Sequence, residues 1–184
     1  MEAPAVTRSR RPFLAPLWLT LLGLVVMAGI AWSVYRAAGT TVVLLVPTTA
    51  REPGTIADPP LSAEGEEQAQ RLARLLGDAA AAGALDAIYV SDEQRAKQTA
   101  APLAERLQRA PVVFAAADAA TTAARAVHEH AGRTVLVIGG AGALPQMLEE
   151  LTGTEVSRAP VQSDLIYVVS VPTFGRAHVL RLKF

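Results

Sequence analysis

Few side chains in this 184-residue chain can do chemistry. There is no cysteine, which excludes disulfides, thiol nucleophiles, cysteine-ligated zinc and iron–sulfur centres. His128, His130 and His178 are the only imidazoles. His128 and His130 stand two apart, so on a helix they project in different directions and lack the i, i+4 spacing of a helical zinc pair. All three are read as surface or packing residues, and neither a metal nor a cofactor is expected. Three short stretches say more, each following an apolar run. They are Pro47-Thr48-Thr49 with Arg51, the segment from Ser91 to Arg95, and Gly139-Gly140 with Gly142. Guanidinium groups, hydroxyls and free backbone N–H groups are the donors from which an anion site is made. Donors of these kinds in the three stretches include Arg95, Thr48, Thr49, Arg51, Gly139 and Gly140. Arg51 also reads as a solvated loop arginine, and Arg95 as the partner of a local acid such as Asp92 or Glu52. A threonine hydroxyl is a poor nucleophile without a base to take its proton, and none stands beside Thr48 or Thr49 in the sequence. No catalytic residue is assigned.

The elements that must position these loops alternate between two periods. Residues 41–46 (TVVLLV) and 134–138 (TVLVI) are short, nearly all-apolar runs, as strands buried on both faces would be. Further strands are expected at 87–90, 112–114, 165–171 and 177–182, the last two turning at Thr173-Phe174-Gly175. Helices are expected at 62–82, 94–109, 118–130 and 144–151. In the first of these, Ala69, Leu72, Ala73, Leu75 and Leu76 form one apolar stripe, and Glu66 and Glu67 sit near the positive end of the helix dipole. Residues 51–60 (REPGTIADPP) must be loop. Strands alternating with helices imply a three-layer α/β/α fold around a mostly parallel sheet. In such a sheet ligands bind beyond the carboxyl ends of the strands, where the three chemical stretches fall.

The first 36 residues are of another kind. Arg8, Arg10 and Arg11 precede an uncharged run from Pro12 to Tyr35 that Arg36 closes. The run is long enough to cross ~30 Å of hydrocarbon, which needs about 20 helical residues. Trp18, Trp32 and Tyr35 lie toward its ends, where amphipathic rings favour the headgroup zone. The reading is a transmembrane signal anchor over residues 12–36, with residues 1–11 a cytoplasmic tail and 37–184 an extracytoplasmic domain. A signal peptide cut after Ala31 and a buried core helix remain as alternatives. The chain's net charge of zero argues against a nucleic-acid partner.

Four segments carry a family resemblance: DPPLSAEGEEQAQRLARLL (58–76), AIYVSDEQRAKQTAAPLAERL (87–107), TVLVIGGAGALPQML (134–148) and DLIYVV (164–169). Together they resemble the histidine phosphatase superfamily, of phosphoglycerate-mutase-like fold, and especially its short phosphohistidine-phosphatase-like members. The run S-x-x-x-R-A-x-Q-T-A from Ser91 to Ala100 is the most specific. The resemblance implies a pocket of two histidines and two arginines in which one imidazole takes up the phosphoryl group while cations neutralise its oxygens. Where that family has an Arg-His pair after the first strand, this chain has Pro47-Thr48. Where it has Gly-His, this chain has Gly139-Gly140. Of the four groups only Arg95 matches. The resemblance thus implies a remnant phosphate pocket whose candidate ligand-binding residues are Arg95, Thr48, Thr49, Arg51, Gly139 and Gly140.

The resulting expectation is a membrane-anchored pseudophosphatase, a binding or scaffolding module for an anionic or phosphorylated small molecule or a protein partner. The alternative is an active phosphohydrolase with relocated catalytic residues. A nucleotide binder is a third reading, from VIGGAGALP, but Pro145 takes the place of the third glycine of the dinucleotide fingerprint.

Overall fold

The computed structural model describes residues 17–37, 39–49, 58–83, 85–154, 164–173 and 175–183. The chain divides into two compact units, Met1–Arg36 and Ala37–Phe184. In the first, α1 (Leu17–Ala37) is a helix whose large apolar residues, among them Trp18, Leu21, Leu24 and Met27, are exposed. Among the described residues no helix is long and apolar enough to cross a membrane. The side chains of α1 are described over 18–33 only, short of the roughly 20 residues a span needs. The start of the expected span, 12–16, and the tail with Arg8, Arg10 and Arg11 lie outside the described residues.

The second unit is a six-stranded sheet flanked by four helices. In chain order its elements are β1 (Thr40–Pro47), α2 (Ala63–Gly83), β2 (Leu85–Ser91), α3 (Gln94–Leu107) and β3 (Val112–Phe114). A 3-10 turn (Ala116–Asp118) then leads into α4 (Ala119–Glu129), β4 (Thr134–Gly139), α5 (Leu144–Thr152), β5 (Leu165–Pro172) and β6 (His178–Lys183). The strand order is β3-β2-β4-β1-β5-β6. Strands β3, β2, β4 and β1 run parallel, whereas β5 is antiparallel to β1 and to β6. The sheet is thus mixed rather than mostly parallel. A turn of a few residues after β5 can only return the chain alongside it, so β5 and β6 form a hairpin.

The all-apolar character of β1 and β4 follows from their central place. Side chains alternate across a strand, and here both faces are covered. Val135 and Val137 of β4, with Val43 and Leu45 of β1, pack against Ala123 and Ala126 of α4 and Leu144 and Met147 of α5. Leu136 and Ile138, with Val46, pack on the opposite face against Leu72 of α2 and Ala100 and Leu103 of α3. Each fully buried side chain of this size contributes about 1.5–3 kcal/mol relative to exposure. α2 and α3 approach closely at Gly77, where a Cβ would meet the Arg106 side chain at 2.5 Å. Arg106 then reaches Asp78 at 2.7 Å, an exposed pair of small energetic weight.

Candidate functional site

The parallel register brings three strand ends together. Pro47 of β1 is level with Gly139 of β4, and Val90 of β2 with Ile138. The ladder runs one step past β1, because the Thr48 N–H donates to the Gly139 carbonyl at 3.0 Å. Thr48, Ser91, Gly139 and Gly140 therefore share the carboxyl edge of the sheet, and Glu93 and Arg95 follow at the start of α3. A side chain from the segment ahead of α2 caps α3: Asp58 Oδ2 accepts from the Gln94 N–H at 2.9 Å. The Leu61 N–H donates to Gln98 Oε1 at 2.8 Å, which ties the same loop end to the second turn of α3.

The candidate residues fare differently. Thr48 is buried at the edge itself. Thr49 is also buried, and its hydroxyl is engaged: it donates to the Gly65 carbonyl at 3.1 Å and lies 3.2 Å from Thr99 Oγ1. Thr99 in turn donates to the Arg95 carbonyl at 2.8 Å. Thr49 thus ties the end of β1 to the first turn of α2 and the second turn of α3. Arg51 and Glu52 lie outside the described residues. Arg95 is half-buried, and its Nε is shut off from solvent without a hydrogen-bond partner among the described residues. Asp92 does not serve it, because Asp92 Oδ1 accepts from the Ala116 N–H at 3.0 Å and anchors the 3-10 turn.

Glu93 is the residue that sequence reasoning did not single out. Its carboxylate lies against Gly140: a Cβ there would be 2.8 Å from Oε1 and 2.9 Å from Oε2. Glycine at 140 leaves the room that the carboxylate fills. Glu93 Oε2 and Ser91 Oγ are also buried without a partner among the described residues. The available signal was an acid placed between Ser91 and Arg95, ahead of a helix facing a glycine loop. Besides Asp58 and Asp92, whose carboxylates accept from backbone N–H groups, the described edge holds the Arg95 guanidinium, the Glu93 carboxylate and the Thr48 and Ser91 hydroxyls.

The imidazoles lie elsewhere. His130, just beyond α4, pairs through Nδ1 with Asp86 Oδ2 at 2.5 Å, at the amino end of β2. Arg133 Nη1 reaches the other Asp86 oxygen at 2.6 Å. That bond, then the one from His130, holds the Asp86 carboxyl below its ordinary range, although burial acts the other way. The Tyr89 hydroxyl donates to Glu129 Oε2 at 2.9 Å and lies 3.1 Å from His130 Nε2. Burial, and then the bond to Glu129, push the Tyr89 phenol up to about 12. His128 and His178 are exposed, the latter at the start of β6. Among the described residues no group of three His, Asp or Glu side chains is placed to hold a metal ion. A cavity of about 260 Å³ between α2 and α3 and one of about 590 Å³ beside β6 are separate from this edge.

The profile of the histidine phosphatase superfamily (branch 1) matches residues 47–117, a span that includes Thr48, Ser91, Glu93 and Arg95. No curated protein matches the chain. Among solved structures, the protein histidine phosphatase SixA complexed with tungstate is similar at a TM-score of 0.62 and 18% identity, over 77% of this chain and 96% of that one. A putative alpha-ribazole-5'-P phosphatase from Escherichia coli is similar at 0.63 and 16%, over 79% and 97%. A putative phosphohistidine phosphatase SixA from Agrobacterium tumefaciens is similar at 0.55 and 14%, over 78% and 97%. At these identities the structural likeness speaks for the fold.

Proposed function

Since the chain belongs to the histidine phosphatase superfamily, we propose that it is a membrane-anchored pseudophosphatase, a binding module that keeps the scaffold without the transfer chemistry. One observation carries this reading. Where the resemblance calls for two imidazoles, the chain has Thr48 and Gly140, and the Glu93 carboxylate lies over the second position. Phosphoryl transfer through a histidine needs a ring nitrogen in line with phosphorus and cations around the equatorial oxygens. Among the described residues no hydrogen bond joins the Thr48 hydroxyl to a base that could take its proton. A carboxylate at the same strand edge as Arg95, the one guanidinium described there, works against developing negative charge. Loss of a nucleophile alone has cost a hydrolase on the order of 10⁶ in rate.

What remains is suited to binding. Arg95 offers a guanidinium at the start of α3, at the sheet edge where β4 ends at Gly139, ahead of Gly140. The anchor is part of the same reading. The helical stretch Leu17–Ala37 is about 30 Å long at 1.5 Å per residue, and its large apolar side chains are exposed. Three arginines precede the span and one follows it, which favours a cytoplasmic amino terminus and an extracytoplasmic domain. The absence of native cysteine makes topology directly testable: Lys97→Cys should react with an impermeant maleimide in intact cells, and Ser9→Cys should not.

Activity is tested with the full chain in detergent, offered p-nitrophenyl phosphate and a phosphohistidine peptide, with and without divalent metal. No turnover above buffer is expected. Turnover that disappears in Arg95→Ala overturns the reading and favours a phosphohydrolase with relocated residues.

A further inference from the structure

Three buried side-chain polar atoms lack a partner among the described residues, and all three come from one five-residue stretch: Ser91 Oγ, Glu93 Oε2 and Arg95 Nε. Ser91 is almost wholly buried, at 1% exposure. Buried polar groups are nearly always hydrogen-bonded, and an orphaned charged group is costlier than a neutral one. Three such atoms at the carboxyl edge of a sheet, where ligands bind in sheets of this kind, mark a candidate ligand site. The three are chemically unlike. Arg95 Nε is a donor on a cation, Glu93 Oε2 an acceptor on an anion, and the Ser91 hydroxyl can act as either.

From this we infer that the site receives a small zwitterion, with an ammonium group met by the Glu93 carboxylate and an anionic group met by the Arg95 guanidinium. The inference rests on reading this edge as a binding site and names the ligand class it would take. A plain dianion would gain Arg95 but face the Glu93 carboxylate, and a plain cation would face the reverse. Glu93 and Arg95 do not neutralise each other, since no ion pair joins them among the described residues. The carboxylate lies against Gly140, so it is closed in on that side and can leave only by giving up its present rotamer. Asp58 takes the Gln94 N–H, so the first N–H of α3 is not available to an anion. A ligand bearing both signs supplies a charged partner to each of them at once.

The test compares two probes that differ by one ammonium group. 3-Aminopropyl phosphate and propyl phosphate are titrated calorimetrically at pH 7 into the full chain in phosphatidylcholine nanodiscs. The zwitterion is expected to bind at least tenfold more tightly. In Glu93→Gln, which keeps size and shape, the two probes should bind within about twofold of each other, with propyl phosphate gaining over wild type. Equal binding of the two by wild type, a preference that survives Glu93→Gln, or no binding of either probe overturns the proposal. The wild-type comparison stands even if the variant fails to fold. Phosphatidylethanolamine nanodiscs separate two sources of the same chemistry. Weakened probe binding there points to a lipid headgroup and unchanged binding to a free molecule, and both results keep the ammonium preference. Hydrolysis of p-nitrophenyl phosphate would refute the inactive reading while leaving the preference intact. Equal binding without hydrolysis would refute the preference alone.

Discussion

Replacing Gly140 with histidine restores the residue type the resemblance calls for, but into space that Glu93 already fills. The new Cβ would lie 2.8 and 2.9 Å from the two carboxylate oxygens and 3.2 Å from Cδ, against ordinary contacts of 3.4 Å or more. The obstacle is the far end of a flexible side chain, so Glu93 can swing away at the cost of its present rotamer, about 0.5–1.5 kcal/mol. Fitting an imidazole into a close-packed edge adds to this, and overpacking changes run to about 1–3 kcal/mol. The expected destabilisation of Gly140→His is therefore about 1–3 kcal/mol, or roughly 2–4 °C in Tm per kcal/mol for a unit of this size. Adding Glu93→Ala should recover most of it. The double-mutant cycle should show a coupling of about 1 kcal/mol or more, as residues in contact do. Thermal and urea unfolding of the four proteins read the cycle. Additive effects, or a Gly140→His protein as stable as wild type, would refute the claim that Glu93 and Gly140 share one space. Gly140→His should stay inactive, because Thr48 still stands in the nucleophile's place.

Thr49→Val should lower stability by about 1 kcal/mol by removing the buried bond to Gly65, and should leave the probe preference unchanged. A loss of binding without a loss of stability would return Thr49 to the ligand site. Asp86→Asn should cost about 1–2 kcal/mol at pH 7, where the ionised carboxylate receives Arg133 and His130. The Asp86 carboxyl is held below 3.8 in the folded chain, so its contribution is present above that pH and is lost as pH falls through the folded value. The gap between Asp86→Asn and wild type in urea unfolding should thus narrow below about pH 4, and a gap constant to pH 2.5 contradicts this. Tyr89 keeps its proton to about pH 12, so its contribution is complete below pH 10 and is lost between 10 and about 12. The phenolate absorbance of wild type minus Tyr89→Phe should rise with a midpoint near 12, and a midpoint at 10 contradicts the environment described.

Much of the scaffold was legible because it depends on local pattern. The run TVLVI could only be a strand covered on both faces, and β4 is one. Chain order alone put His128 and His130 ahead of β4, toward the edge opposite the glycine loop, and His130 sits there with Asp86. Strand direction is different. Nothing in LIYVVSV says that β5 runs against β1, because strand composition does not encode the sense of its neighbour. The exposure of Leu180 and Leu182 on β6 was equally hidden, since their alternation matches that of a covered strand and only the topology makes β6 an edge. The site was half legible. Residue type and strand-end position marked Thr48, Arg95, Gly139 and Gly140. Engagement of Thr49 by Gly65 and contact of Glu93 with Gly140 join residues distant in sequence, and both follow from register and rotamer.

Covalent trapping tests the central claim most directly. The full chain is incubated with phosphoramidate or another small phosphoryl donor, and phosphohistidine is sought as an acid-labile, base-stable adduct by ³¹P NMR and mass spectrometry. With no imidazole at the carboxyl edge of the sheet, no phosphohistidine should form. Stoichiometric label on His128, His130 or His178 that turns over to inorganic phosphate would contradict the account.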